Sequence, residues 1–225
     1  MSLTNLVYSL AALFFCAASA IASPDSFVIE PDSYPDGTIL NSIHPRLDLA
    51  VHDGILTPDF PEDFGVFPDP GVIPVTAVTS EDIFGGYFTS TGTKTFGHAG
   101  IDFTTLSRSI GMRFNGPANE VSIDVIGSTD LSPTVGVLEV YDAAGMLLET
   151  VTSPELLRQE VSTLSIARPG FDIAFARAFS SDDHSPFGRL DNLRFTSVPE
   201  PATAVLLIVC GLAGRALRRA RIARL

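Results

Sequence analysis

Apolar and polar residues alternate along much of the central chain, and this period of two predicts β-strands rather than helices. The clearest case is Val121, Ile123 and Val125, which alternate with Ser122 and Asp124 as in a strand with one buried face. The same pattern predicts further strands over residues 27–30, 47–51, 95–103, 110–114, 135–142, 146–151, 162–167, 171–179 and 189–196.

Turn-forming residues separate these segments. Asp36-Gly37, Asn115-Gly116-Pro117 and the hairpin from Asp142 to Gly145 are strong turn signals. Residues 58–74 hold five prolines and four acidic residues, which predicts a long loop. Short strands joined by such turns predict an all-β fold, an antiparallel β-sandwich of jelly-roll type.

The amino-terminal segment predicts export. Residues 3–22 are apolar and end in Ala20-Ile21-Ala22, an A-x-A cleavage pattern. We therefore expect a signal-peptide helix over residues 1–22, cleaved after Ala22, with Ala20 as the alternative site.

The carboxyl-terminal segment, residues 198–225, predicts a membrane stage. Its uncharged run, residues 202–214, would span roughly 20 Å as a helix, which is short for a bilayer core of about 30 Å. A basic cluster follows this short transmembrane helix and predicts a cytoplasmic C-terminus; its members are Arg215, Arg218, Arg219, Arg221 and Arg224.

This tail resembles the PEP-CTERM sorting signal of Gram-negative bacteria in all three of its parts. The motif is Val198-Pro199-Glu200-Pro201, and the apolar run and the arginine cluster follow it. The resemblance implies recognition by an exosortase-type enzyme, with cleavage near the motif after transient anchoring in the inner membrane. It further implies delivery to the cell surface or the extracellular matrix. The alternative is an ordinary single-pass membrane anchor.

Composition bounds what the body, residues 23–197, can bind. Its 25 acidic and nine basic residues give a charge near −16, which disfavours nucleic acid and anionic lipid as partners.

Both cysteines lie outside the body, so the body uses no disulfide. The whole chain has sixteen Phe, 14 of them in the body, and no Trp, which predicts that phenylalanines fill the space between two sheets. We divide the body into residues 23–80, with the first strands and the Pro/Asp-rich loop, and the sandwich core, residues 81–197.

The body resembles the jelly-roll domains that are similar to carbohydrate-binding modules. The resemblance rests on Asp36-Gly37-Thr38, on Arg113-Phe114 before a turn, on the hairpin from Tyr141 to Gly145, and on the segment from Leu190 to Phe195. It implies a fold first, and association with extracellular polysaccharide second.

Asp191 is the candidate site residue of the body. Alternation places it on the same face as Leu193 and Phe195, and an inward carboxylate is costly unless it is paired or binds a metal ion. In the modules that the body resembles, an Asp in this place can join a structural Ca²⁺ site, and Glu30, Asp32 and Asp36 are the candidate co-ligands. The alternative is that Asp191 accepts hydrogen bonds from backbone N–H groups at a sheet edge or in a turn.

Signatures of catalysis are absent from the sequence, which has no HExxH, Gly-x-Ser-x-Gly or P-loop motif. We therefore expect a non-enzymatic, structural or glycan-associating protein. The alternative is a polysaccharide hydrolase, which requires two carboxylates facing one cleft.

Overall fold

The computed structural model describes residues 24–53, 60–61, 72–81, 86–98, 101–102, 104, 108–181 and 188–198. Residues 25–197 form one compact unit. Both predicted terminal helices lie outside the described residues. No helix among the described residues is long and apolar enough to cross a membrane.

Ten strands and one short 3₁₀ helix, Pro31–Ser33, make up the described body. The strands are β1 (Asp25–Ile29), β2 (Leu47–Asp53), β3 (Thr76–Thr79), β4 (Lys94–Gly97), β5 (Arg108–Ile126), β6 (Gly136–Tyr141), β7 (Leu147–Thr152), β8 (Val161–Ala167), β9 (Ile173–Ser180) and β10 (Arg189–Ser197).

The strands form two layers that share β5. The first half of β5 lies in a five-stranded layer with the order β2-β5-β9-β6-β7. The second half lies in a layer where β8 and β10 flank β5, and β10 in turn pairs with β1 and β4. Every pairing between these strands is antiparallel, so the all-β antiparallel class predicted from the alternation is confirmed.

The long strand β5 corrects one prediction. Asn115-Gly116-Pro117 was expected to end one strand and begin another, yet β5 runs through it for 19 residues. Gly116 has a φ of +122°, and Pro117 has no N–H to donate. These two residues interrupt the pairing with β9 between Arg113 and Ala118 without reversing the chain. They thereby carry β5 from one layer into the other.

Strand β4 is shorter than the predicted strand over residues 95–103. It ends at Gly97, because His98 and Ile101 then exchange backbone hydrogen bonds of 2.8 Å in both directions. Phe103 lies outside the described residues.

The core lies between the two layers. Ile123 of β5 and Leu193 of β10 come from one layer, and Leu138 and Val140 of β6 come from the other, all in one buried cluster. At about 25 cal/mol per Å² of apolar surface removed from water, this cluster is the main stabilising contribution to the sandwich.

Phenylalanines fill the space between the layers only in part. Phe96, Phe114 and Phe195 belong to the buried cluster, as expected, but the phenylalanines of β9 do not. Ala176 and Ala178 belong to the central cluster, whereas Phe175 and Phe179 do not. These two rings lie on the outer face of the five-stranded layer, where the Phe60 ring makes an edge contact with Phe175 at 6.5 Å between ring centroids. The alternation of Phe and Ala in β9 separates the two faces of the strand. Because both faces are apolar, it does not say which of them packs in the core.

Candidate functional site

The predicted export and sorting residues lie almost entirely outside the described residues. Ala20, Ala22, Pro199, Glu200, Pro201 and the basic cluster belong to this group. Val198 is described and directly follows β10.

Asp191 lies inside the body and is fully buried. Its Oδ2 accepts hydrogen bonds from Ser90 N and Ser90 Oγ, both at 2.9 Å, and from Thr91 N at 3.2 Å. Its Oδ1 accepts one from Asn192 N at 2.8 Å. A register shift in β10 between Asp191 and Arg194 accompanies a φ of +49° at Asn192. Asp191 thus bonds backbone N–H groups and anchors the loop that precedes β4.

Glu30 lies next to Asp191 at the end of β1. Burial, with the adjacent charges of Asp191 and Asp32, raises the pKa of Glu30 to about 7, and burial likewise raises the pKa of Asp191. A hydrogen bond joins the two carboxyl groups. Since two adjacent buried carboxylates repel each other, this pair favours a shared proton or a cation.

Asp32 completes this acidic group, which we define as Glu30, Asp32 and Asp191. Asp32 Oδ1 accepts a hydrogen bond from Thr93 N at 2.8 Å and lies 3.9 Å from the Lys94 ammonium. Two buried oxygens of the group, Glu30 Oε1 and Asp32 Oδ2, have no hydrogen-bond partner. Buried carboxylate oxygens of this kind are costly unless a proton or a cation satisfies them.

Gly92 packs directly against this group. A Cβ atom at Gly92 would lie 2.2 to 2.4 Å from the carboxyl atoms of Asp32, and the φ of Gly92 is +51°. Both its conformation and the close approach therefore require glycine.

Asp36 does not belong to the acidic group. It is exposed, and its Oδ1 accepts hydrogen bonds from Thr79 N at 2.6 Å and Thr79 Oγ1 at 2.9 Å. These bonds hold the pKa of Asp36 below its usual value. Of the four predicted ligands, the structure brings Glu30, Asp32 and Asp191 together. Asp36 instead bonds Thr79 of β3.

Within the described ranges, no three His, Cys, Asp or Glu residues form a group that could hold a metal ion, and this includes the acidic group. Any cation at the acidic group would therefore need hydroxyl, carbonyl or water oxygens as well, which Ca²⁺ accepts.

The outer face of the five-stranded layer carries a second candidate site, which the sequence did not reveal. In one row across it, Asp48, Arg113, Phe175 and Tyr141 oppose one another on adjacent strands β2, β5, β9 and β6. We call these four residues, with Asn115, the polar–aromatic row. Its signal in the sequence was the alternation of Phe with Ala in β9, which was missed because phenylalanines were expected to fill the space between the sheets.

The exposed end of this row consists of planar hydrogen-bonding groups. Asp48 Oδ2 accepts hydrogen bonds from Arg113 Nη2 at 2.8 Å and from Asn115 Nδ2 at 3.0 Å. The Arg113 side chain is 37% exposed and that of Asp48 is 11% exposed. Phe175, opposite Arg113, is half-buried. The row therefore presents a guanidinium, an amide and a carboxylate beside an aromatic ring.

The adjacent row is a closed ionic network that supports the ring. Arg177 Nη2 donates to Glu139 Oε2 at 2.7 Å, and Tyr141 Oη donates to the same oxygen at 2.6 Å. The Arg177 guanidinium also lies 4.9 Å from the Phe179 ring centroid. Burial, with the hydrogen bond to Glu139, raises the pKa of the Tyr141 hydroxyl. These contacts hold Tyr141 in place beside Phe175.

A shallow groove of about 190 Å³ lies on the other layer. Strands β1, β5 and β10 line it with Ser26, Phe27, Val28, Glu120, Ser122, Arg194, Phe195 and Thr196. Its polar groups bond one another: Ser26 Oγ lies 3.0 Å from Thr196 Oγ1, which in turn donates to Glu120. Phe195 belongs to the buried core and the half-buried Phe27 packs against that core, so the exposed groups of this groove are mainly polar.

No family model matches this chain, and no curated protein matches it.

Among solved structures, the chain is similar to a family 29 carbohydrate binding module from Piromyces equi, with 10% identity over 78% of this chain and 92% of that chain and a TM-score of 0.36. It is also similar to the C-terminal CBM6 of a marine laminarinase from Zobellia galactanivorans, with 12% identity over 77% and 100% of the two chains and a TM-score of 0.33. The Lys-gingipain K2 adhesin domain gives 6% identity over 76% and 99% and a TM-score of 0.34. Overlaps this low transfer no function to this chain.

Proposed function

We propose that this chain is an exported, non-enzymatic β-sandwich protein that associates with glycans at the cell surface or in its exopolysaccharide matrix. The signal peptide exports it, and the PEP-CTERM-like tail holds it in the inner membrane until an exosortase-type enzyme processes the Val198 to Pro201 motif. The sequence of the two termini supports the targeting part of the proposal.

The polar–aromatic row is the observation that supports glycan association. A sugar ring presents C–H groups to an aromatic face, and its neighbouring hydroxyls bond in pairs to planar groups. Phe175 supplies the ring, while Arg113, Asn115 and Asp48 supply donors and acceptors at hydrogen-bonding distance from one another. A binding site of this kind usually combines aromatic rings with a small number of precisely placed polar groups.

The charge of the body favours neutral polysaccharides over acidic ones. A net charge near −16 repels uronate and sulfate groups, and this repulsion weakens as salt screens it.

Glycan-array binding of residues 23–197 tests the proposal, with the polysaccharide of the producing cells on the array. Phe175→Ala and Arg113→Gln should weaken binding at least tenfold, whereas Arg194→Gln in the groove should leave it unchanged. Failure of the wild-type body to bind any polysaccharide would refute glycan association. If Arg194→Gln alone lost binding, the groove would be the site.

The hydrolase alternative receives no support from the acidic group. Glu30 and Asp191 are adjacent carboxyls, but Asp191 is fully buried. A polysaccharide therefore cannot reach both of them.

We also propose that the acidic group binds a structural Ca²⁺ ion. Glu30, Asp32 and Asp191 would contribute carboxylate oxygens, and hydroxyl, carbonyl or water oxygens would complete the coordination, since the described carboxylates alone form no metal-binding group. The unsatisfied oxygens Glu30 Oε1 and Asp32 Oδ2 support this proposal. The ion would neutralise the carboxylates and join the end of β1, the loop before β4 and β10.

A further inference from the structure

Strand β8 has one edge that no other described strand covers. It pairs with β5 over all seven of its residues, from Val161 to Ala167, and with no other strand that the structure describes. Glu160 O accepts from Gly127 N at 2.9 Å, and Arg168 N donates to Asn119 O at 2.8 Å, so the even-numbered backbone groups point towards β5. The backbone groups of the odd-numbered residues therefore point away from it, since they alternate along a strand.

This edge lacks the features that usually prevent strand-to-strand association. None of its seven residues is charged or is proline, and its pairing with β5 has no bulge. The side chains of its odd-numbered residues are exposed: Val161, Thr163, Ser165 and Ala167.

We propose that β8 pairs antiparallel with β8 of a second copy of this chain, about a twofold axis at Leu164. In this register Val161 faces Ala167 of the other copy, and Thr163 faces Ser165. These are the residues whose backbone groups point outward, so each outward N–H and C=O obtains a partner.

The charges that flank the strand specify this register. Glu160 of each copy then faces Arg168 of the other, and both ends of the interface gain an opposite-charge pair. A shift by two residues in one direction instead places Arg168 opposite Arg158. A shift in the other direction places Val161 opposite Pro169, which has no N–H to donate.

The resulting dimer is closed, because pairing uses the free edge of both copies. It makes one layer continuous across two bodies and doubles the number of ligand sites per particle. Two linked sites bind a polymer more tightly than one site alone. The dimer itself stands independently of the proposed glycan association.

Charge reversal in the full chain, measured by sedimentation velocity in a non-ionic detergent, tests the interface. Arg168→Glu and Glu160→Arg each place like charges opposite each other and should raise the dimer Kd at least tenfold. The double variant restores the opposite charges and should recover dimerisation. Because Arg168 also pairs with Asp172 and Glu149, the melting temperature of each variant is measured in parallel. A wild-type chain that stays monomeric at its highest soluble concentration overturns the proposal.

Disulfide trapping tests the register independently of those charges. Val161→Cys and Ala167→Cys are made in separate, differently tagged full chains in which Cys16 and Cys210 are serine. Mixing the two should give a cross-linked heterodimer, whereas either alone should not, because like positions would lie about 20 Å apart. Equal cross-linking within the unmixed chains would contradict the register.

Discussion

The carboxyl group of Glu30 lies against that of Asp191 and shares a hydrogen bond with it. The two residues lie near opposite ends of the body's sequence. Strand β1 pairs with β10 in a register where Ile29 faces Leu193, and this brings the ends of the two strands together. Burial raises the pKa of both carboxyl groups. Two of the predictions below concern this pair, and a third concerns Asp32 beside it.

The first prediction is a fall in stability as the pH rises. The folded pKa of Glu30, about 7, exceeds its value of 4.5 in the absence of burial. Its protonated form therefore stabilises the fold fully below about pH 4.5, and this stabilisation is lost as the pH rises through about 7. In EDTA, the wild-type melting temperature should fall between pH 5 and pH 8 more than that of Glu30→Gln. The exposed-site variant Glu81→Gln should follow the wild type, and equal pH profiles for wild type and Glu30→Gln would contradict the raised pKa.

The second prediction concerns Ca²⁺. At about a hundred times its Kd a ligand stabilises a fold by about 2.7 kcal/mol, so saturating Ca²⁺ at pH 8 should raise the melting temperature by several degrees over EDTA. Asp191→Asn should lose this response, whereas Asp36→Asn should keep it, since Asp36 bonds Thr79 instead. An unchanged wild-type melting temperature rules out a stabilising ion.

The third prediction is that Gly92→Ala destabilises the body by about 1–3 kcal/mol, because the new Cβ would press on Asp32 and the positive φ would be strained. Gly170→Ala is the matched control, since nothing lies within 4 Å of its Cβ position. Urea denaturation of both variants measures the difference. Similar midpoints for the two would show that the loop before β4 can relax.

The fourth prediction separates a buried ion pair from an exposed one. Arg177→Ala leaves Glu139, whose side chain is only 15% exposed, without its cation and should cost about 3 kcal/mol or more. Arg168→Ala removes pairs to the exposed residues Glu149 and Asp172 and should cost less than about 1 kcal/mol. Chemical denaturation gives both values, and comparable costs would mean that the Arg177 network is solvated.

The fifth prediction concerns sorting. Replacement of Pro199, Glu200 and Pro201 by alanine should leave full-length protein in the membrane fraction of the producing cells, because the processing enzyme no longer recognises the tail. Immunoblots of membrane and extracellular fractions measure this, with Asp130→Ala in an exposed loop as the control. Normal release of the triple variant would refute the sorting signal.

Local features of the fold followed from the sequence alone. The alternation around Val121 to Val125 predicted strand structure, and Asp142 and Gly145 predicted the β6–β7 hairpin. In the structure Asp142 Oδ1 accepts hydrogen bonds from Ala144 N and Met146 N, and Gly145 has a φ of +79°. Such features depend on contacts within a few residues, so the sequence of those residues specifies them.

Tertiary structure decided which faces and which distant residues meet. Alternation separates the Phe and Ala faces of β9 but cannot say which one the second layer covers, because burial depends on the partner strands. Likewise, Asn115-Gly116-Pro117 permits a reversal or a bend, and the pairing of β5 with four other strands selects the bend. Asp191 was recognisable as an inward acid, but only the fold placed Glu30 beside it and Asp36 elsewhere, because those positions depend on strand register across more than 150 residues.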